Sequence, residues 1–144
     1  MSSAVARAGC ARRKRIGDGV DDARVVVTMP ADPSFLRLAR LAAADAGTRA
    51  GFTVEDVEDL RLAIDELCGP LMNGSKGTIS LTFLAVEGRV DIEGRGPAPL
   101  EEPAYADIGD AIITAVVDEH EIESRDGTQS FRAMKRSSPE STSG

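Results

Sequence analysis

The residues that could do chemistry in this chain are concentrated in one segment, TVEDVEDLRLAIDELCGPLMN, which runs from Thr53 to Asn73. Its apolar residues recur every three or four positions, which is typical of an amphipathic helix. Several acids fall off the apolar stripe, and a carboxylate held in place by a helix can act as a general base. Glu66 lies about 160° from the centre of the stripe, so the core does not require an acid at this position. The structural alternative for Glu66 is a carboxylate exposed on the solvent side of the helix.

The two cysteines and the single histidine offer less chemistry than the acids. Cys10 lies in a polar N-terminal stretch and Cys68 on the apolar stripe, a spacing that suggests neither a metal site nor a disulfide. We interpret Cys68 as a small core residue, and His120, which has no other His or Cys nearby in the sequence, as structural. Unpaired cysteines fit a reducing compartment, so we expect a cytoplasmic protein.

Composition and charge limit the classes of function. The chain has 144 residues, 42% of them hydrophobic and only 3% aromatic, which fits a single domain with an aliphatic core. The net charge is −7 although the first twenty residues are basic, so the body is acidic. An acidic body argues against nucleic acid as the main partner, because phosphate binding needs a basic surface. The sequence contains no run of 18 apolar residues, so we predict no membrane helix. The basic N-terminal stretch lacks the apolar segment that a signal peptide needs.

The first half of the chain predicts a strand and two helices after a disordered basic leader at residues 1–22. Arg24–Met29 is a β-branched run that predicts a strand. Asp32 as N-cap and Pro33 at the first helical position predict the start of a helix. The expected buried stripe of that helix is Phe35, Leu38, Leu41, Ala42 and Ala46. Thr53 as N-cap predicts the start of the next helix, which Gly69-Pro70 should interrupt near its end.

After Gly77 the apolar period changes from 3.6 to 2, which predicts strands. The expected elements are a hairpin of Thr78–Val86 and Arg89–Ile92, a loop at Gly94–Pro103, a helix at Ala106–Asp118, and strands at Glu119–Ser124 and Thr128–Lys135. The residues expected on the inner face of the helix are Ile108, Ile112, Ala115 and Val116. We expect one domain at residues 23–136 and a disordered tail at residues 137–144. The order β-α-α-β-β-α-β-β predicts an α+β two-layer sandwich, in which a mainly antiparallel sheet carries helices on one face.

Three segments of the chain resemble a known family. LRLAIDELC, Leu60–Cys68, is similar to the LAVDEAC-type helix of the anti-sigma regulatory factors. These are serine-protein-kinase-like members of the GHKL superfamily, which share the ATPase fold of histidine kinases. Met29-Pro30 with the following FLRLAR helix resembles the first strand and helix of the family, and Ala115–Arg136 resembles its C-terminal part. The resemblance covers about residues 24–136.

The resemblance implies a binding site for ATP and Mg²⁺ between the helix predicted within Thr53–Asn73 and the sheet. It implies that Glu66 is the catalytic general base, which would activate a serine hydroxyl of a partner protein or a water molecule. The implied partner is a sigma factor or a small phosphorylatable antagonist, and the family pattern also allows a homodimer. Neither a membrane nor nucleic acid is implied as a direct partner.

The sequence departs from the family at the magnesium position. One turn after the catalytic Glu the family has an Asn that holds the metal, and this chain has Pro70 there. Proline offers no side-chain oxygen, whereas Mg²⁺ requires oxygen ligands. Asn73 lies three residues too late to replace it directly. The sequence therefore predicts no metal site of the family type.

The adenine site departs from the family as well. The family has an Asp at the end of the second hairpin strand, followed by a loop that contains glycine. If Gly94 and Gly96 are the loop glycines that bind the cofactor, Ile92 stands at the Asp position and Glu93 is the only acid close by. Glu93 would point to the other face if the strand continued. The alternative for the two glycines is an ordinary loop.

The third departure is in the phosphate-binding loop before the last helix. Of the family's glycines only Gly109 remains, and Asp107 and Asp110 flank it. These carboxylates can satisfy the helix dipole themselves, and they would repel a triphosphate. Glu93, Gly94, Gly96 and Gly109 are therefore the remaining candidates for cofactor binding.

Three hypotheses remain open. In the first, the chain has the GHKL-type fold with weakened or lost ATP binding and acts by protein–protein binding in transcriptional control. In the second, it is an active ATP-dependent serine kinase with unconventional ligands such as Asn73 or Glu93. In the third, it is an α+β interaction module unrelated to transcription.

Overall fold

A computed structural model describes residues 24–74, 76–99 and 106–139. The predicted leader and the end of the predicted tail lie outside these ranges, and the domain limits stay predictions. The strands are β1 (Arg24–Pro30), β2 (Thr78–Val86), β3 (Arg89–Pro97), β4 (Glu119–Arg125) and β5 (Thr128–Arg136), and the helices are α1 (Leu36–Arg49), α2 (Val54–Cys68) and α3 (Ala106–Val116). The strands form one antiparallel sheet in the order β1-β2-β3-β5-β4, and its apolar face packs against the helices. The predicted α+β sandwich is confirmed.

Two hairpins build most of the sheet. In β2 the inward residues alternate with polar ones, and Ile79, Leu81 and Phe83 are fully buried against the helices. Gly88 in the β2–β3 turn has a φ of 81°, a conformation that glycine adopts without strain. Asp126 and Gly127 both have positive φ in the β4–β5 turn, as a tight two-residue hairpin requires. The alternation and the turn residues together explain the register of the sheet.

The buried face of α1 differs from the predicted one. Leu38 and Leu41 were expected in the core, but their exposed fractions are 41% and 63%. The buried residues of the helix are instead the small ones, Ala39, Ala43, Ala46 and Gly47. A β-carbon on Gly47 would lie 3.1 Å from Leu60 Cδ1, so α1 and α2 approach each other too closely for large side chains. Close packing rather than hydrophobicity therefore selects the inner face.

Helix α2 is shorter than its apolar pattern suggests. Thr53 Oγ1 accepts a hydrogen bond of 3.2 Å from the Asp56 amide, which confirms Thr53 as the N-cap. The α-helix ends at Cys68, and a 3-10 turn over Gly69–Leu71 follows it. Because Pro70 has no amide hydrogen, the α-helical hydrogen-bond pattern cannot continue through it. The predicted interruption at this point is confirmed.

Two other expectations for the second half of the chain are wrong. The loop predicted from Gly94 begins later, because β3 continues to Pro97 and pairs with β5 over its whole length. The inner face of α3 is shifted by one position: Ile113 and Val116 are buried, whereas Ile108 is 57% exposed. None of the helices in the described parts of the chain is long and apolar enough to cross a membrane.

Candidate functional site

Glu66 lies on α2 beside α3. Its side chain is half-buried, and Oε1 is 2.8 Å from the point that a β-carbon on Gly109 would occupy. The carboxylate thus lies against the backbone of α3, and two of the predicted site residues are brought together. Within the described residues Glu66 has no hydrogen bond or ion pair, so its contact with α3 is the main feature of its environment.

Pro70 stands where the family pattern has its metal-binding Asn. It lies half-buried in the 3-10 turn after α2, and the Met72 amide donates to the Gly69 carbonyl at 3.0 Å to close that turn. The pyrrolidine ring supplies no oxygen for Mg²⁺. No group of three or more His, Cys, Asp or Glu side chains in the described parts of the chain could hold a metal ion. The residues present at the family's metal position do not fit Mg²⁺.

Asp107 and Asp110 do not lie on the side of α3 that meets Glu66. Gly109 is on that side, and Asp107 is about 160° away round the helix. Asp107 is exposed, and Asp110 Oδ1 lies 3.1 Å from His120 Nε2 on β4. The expectation that these acids fill the nucleotide site therefore lacks support from their positions. The histidine predicted to be structural links β4 to α3.

Glu93, Gly94 and Gly96 lie within β3 rather than in a loop. Glu93 points to the face of the sheet opposite the helices, so the structure does not bring it together with Glu66. A β-carbon on Gly94 would lie 2.6 Å from Phe131 Cε2, and one on Gly96 would lie 2.9 Å from Ile79 Cγ1. Core packing is thus sufficient to explain both glycines. Their assignment to cofactor binding stays a prediction.

A buried acid at the start of α2 was not recognised in the sequence as an interaction site. The Asp56 carboxylate is 1% exposed and accepts hydrogen bonds from Ser138 N at 2.9 Å and Ser138 Oγ at 2.6 Å. Lys135 Nζ lies 3.7 Å away. Burial alone would raise the pKa of Asp56, but the Ser138 hydrogen bonds and the Lys135 charge together lower it. Asp56 therefore holds the residues that follow β5 against the N-terminal turn of α2.

The face of the sheet away from the helices carries charged grooves. Two shallow grooves of about 450 and 720 Å³ share Glu93, Glu121 and Arg132 among their lining residues. Arg132 is paired in register with Glu93 on one side and Glu121 on the other. Strand periodicity alone places these side chains on one face, but their alignment across three strands follows from the sheet order, which the sequence did not specify.

Cys68 has the properties of a core residue. It is the last residue of α2 and is fully buried. Burial, with a smaller effect of the Asp65 charge, raises the pKa of its thiol to about 12. Since the thiolate is the nucleophilic form, Cys68 is unsuited to nucleophilic catalysis at neutral pH.

Comparison with known proteins found relatives but no matching family model. The serine-protein kinase RsbW of Halalkalibacterium halodurans is 31% identical over 71 residues, which are 47% of this chain and 44% of that protein. RsbW of Bacillus velezensis and of Bacillus subtilis strain 168 are 29% and 26% identical over 73 residues, covering 47% of this chain and 46% of each relative. The match thus spans slightly less than half the length of these relatives.

The five-stranded antiparallel sheet with its layer of helices is consistent with the α+β sandwich of the histidine-kinase-like ATPases. The similarity to the RsbW serine-protein kinases confirms the predicted resemblance to the anti-sigma regulatory factors and serine-protein kinases.

Proposed function

We propose that this chain is an anti-sigma-factor-like regulatory protein whose ATP binding is weakened or lost and which acts in the cytoplasm by binding a protein partner. The contact between Glu66 and Gly109 is the observation that carries this proposal. A general base must have the attacking hydroxyl within about 3 Å of its carboxylate. Oε1 of Glu66 is directed at Gly109, 2.8 Å from the site of its missing β-carbon, so α3 takes up space beside the carboxylate that an attacking hydroxyl would need.

The metal position supports the same conclusion independently. Phosphoryl transfer depends on Mg²⁺ to position the phosphates and to neutralise their charge. Pro70 cannot ligate the metal, and Glu93 lies on the opposite face of the sheet from Glu66. A chain that keeps the fold but lacks these ligands can still bind proteins through its surface. By the family resemblance, that partner is a sigma factor or its antagonist.

Calorimetric titration of the full chain with Mg-ATP tests the loss of nucleotide binding. We expect no measurable heat of binding at nucleotide concentrations up to about 1 mM. At that concentration a binding free energy as weak as about −4 kcal/mol would be detected. RsbW of Bacillus subtilis, titrated in the same buffer, is the positive control. Micromolar binding by this chain would overturn the loss of ATP binding.

An active serine kinase is the second candidate. The observation that favours it is the half-buried carboxylate of Glu66, which has no ion pair or hydrogen bond among the described residues. This candidate predicts transfer of labelled phosphate from ATP to a serine of a co-purifying antagonist. Transfer should be lost in Glu66→Ala and kept in Glu58→Ala, which removes an exposed acid from the same helix. Absence of transfer with the unmodified chain would exclude it.

A further inference from the structure

The face of the sheet opposite the helices is crossed by a groove that all five strands line. It is the groove of about 450 Å³ described above, and we call it the outer groove. One row of residues in register runs along it: Arg24 on β1, Leu84 on β2, Asp91 on β3, Met134 on β5 and Glu119 on β4. Met134 is only 5% exposed, so the floor of the groove is partly apolar. The outer groove therefore leads from one edge of the sheet to the other.

The end of the outer groove at β4 is acidic. Glu119, Glu121 and Glu123 alternate along this edge strand and line the grooves of the outer face, and all three are exposed. None of them forms a salt bridge with another described residue. Arg132 is in register with Glu121, but it also lies opposite Glu93, so one cation stands between two acids. The negative charge of the three glutamates is thus largely unbalanced, which favours a basic ligand.

The other end of the outer groove is the point at which the predicted basic leader joins the fold. Arg24 is the first residue of β1, and its side chain lines the groove. The leader contains four adjacent basic residues, Arg12–Arg15. The segment between this run and Arg24 contains three acids, Asp18, Asp21 and Asp22. Blocks of like charge near a terminus are typical of interaction tails.

We propose that residues 1–22 of this chain bind along the outer groove, with the basic run Arg12–Arg15 on the glutamates of β4. The order of charges along the leader matches the order across the sheet. Starting from Arg24, the acids of the leader come first and pass over the middle strands, where Arg89 and Arg132 line the groove. The basic run comes next, at the acidic edge. Complementary charges of this kind fix the register of a contact and disfavour wrong partners.

The leader is long enough for this path. Strands β1 and β4 are four strand spacings apart, which is about 19 Å. Arg15 precedes Arg24 by nine residues, so the segment between them spans up to about 30 Å when extended. The excess of about 10 Å lets the chain turn at Gly17 or Gly19 and follow β4. The three glutamates extend over about 13 Å and the four basic residues over about 10 Å, so the two rows match in length.

Paramagnetic NMR of the full chain tests the contact, because Cys10 lies two residues before the basic run and accepts a thiol-reactive spin label. Cys68 is buried and burial raises the pKa of its thiol to about 12, so it stays unlabelled. We expect the label to lower the amide intensities of Glu119–Glu123 at least twofold relative to the same sample after the label is reduced. The amides of α2, in the helix layer, should keep their intensity. Broadening confined to residues around Arg24, where the leader is attached, would overturn the proposal.

Charge reversal identifies the groups that make the contact. Glu121→Lys with Glu123→Lys should remove the broadening at β4, because the basic run would then face like charges. Glu55→Lys with Glu58→Lys is the matched control, since it changes the net charge equally at two exposed acids of α2. The control should keep the broadening, with both variants folded by circular dichroism. Equal effects of the two pairs would mean that net charge alone acts, and they would overturn the proposal.

A rescue variant, ionic strength and a mixed sample complete the test. Adding Arg13→Glu and Arg15→Glu to the β4 variant should restore the broadening. In the wild type, raising the salt from about 0.1 to about 1 M should remove it, since the Debye length falls from about 10 to about 3 Å. Failure of either result overturns the proposal.

The mixed sample distinguishes binding within one chain from binding between copies. It combines an isotope-labelled Cys10→Ser chain with a spin-labelled chain that carries no isotope, and we expect no broadening. Loss of intensity at β4 in this sample would assign the contact to a second copy and overturn binding of the leader to its own chain. None of these measurements involves a nucleotide, so the proposed function is tested separately.

Discussion

The Glu66 carboxylate is directed at Gly109: Oε1 of the glutamate lies 2.8 Å from the point where residue 109 would carry a β-carbon. The absence of that carbon lets α3 pack on the carboxylate of α2. In the sequence the two residues are separate candidates, one for catalysis and one for phosphate binding. In the folded chain each limits the space available to the other.

A double-mutant cycle measures this contact. Replacing glycine by alanine inside a helix stabilises it by up to about 1 kcal/mol. We expect Gly109→Ala to gain less than this in the wild type, because the new methyl group displaces the Glu66 carboxylate. In a Glu66→Ala background the full gain should appear, giving a coupling free energy of about 0.5–1 kcal/mol in urea unfolding.

Gly69 provides the control for this cycle. It has helical backbone angles, with a φ of −48°, and no atom lies within 4 Å of its missing β-carbon. Gly69→Ala should therefore be additive with Glu66→Ala. Additivity of Gly109→Ala with Glu66→Ala would show that the glycine does not accommodate the carboxylate.

Gly94 is required by packing inside the sheet. A β-carbon there would lie 2.6 Å from Phe131 Cε2 and 2.8 Å from Leu81 Cδ2. We expect Gly94→Ala to lower the free energy of unfolding by about 1–3 kcal/mol, as overpacked cores do. Adding Phe131→Leu should recover part of the loss. Gly77→Ala, whose nearest neighbour would be at an ordinary 3.4 Å, should change stability much less; an equal loss would contradict the packing explanation.

Asp56 should make stability depend on pH. Because its pKa is lower in the folded chain than in the unfolded one, its stabilisation is present above the unfolded pKa and is lost as the pH falls through the folded pKa. Asp56→Asn should cost about 1–3 kcal/mol at pH 7 and flatten the loss of stability below about pH 4.

Asp59→Asn is the control for Asp56, because Asp59 also lies near Lys135, at 3.5 Å, but is 40% exposed. It should cost less than about 1 kcal/mol. Urea unfolding between pH 3 and pH 7 measures both variants. Equal pH profiles for Asp56→Asn and the wild type would refute the role of the Ser138 hydrogen bonds.

The Cys68 thiol should be unreactive in the native protein. Its pKa of about 12 leaves almost no thiolate at pH 8, and its burial excludes reagents. In a Cys10→Ser variant, Ellman's reagent should label no thiol at pH 8 until the chain is unfolded in guanidinium chloride. The unfolded sample is the control for the reagent. Rapid native labelling would mean that the end of α2 opens readily.

Local sequence pattern was enough to predict most elements of the chain. The change of period after Gly77 predicted the strands. Asp32 caps the 3-10 turn of Pro33–Phe35 that leads into α1, Thr53 caps α2, and Pro70 marks the interruption that follows α2. These features depend on residues near each other in the chain, so a single sequence contains them. The resemblance to the family, which the RsbW relatives confirm, came from segments of the same local kind.

Tertiary packing determined the details on which function depends. In α1 two apolar stripes overlap, and only the close approach of α2 selects Ala39 and Ala43 over Leu41 as the buried side. The packing of α3 beside α2 likewise brings Gly109 onto Glu66. Spacing within one helix specifies which residues share a face, but the distance to the neighbouring element decides which face is buried and what each carboxylate contacts.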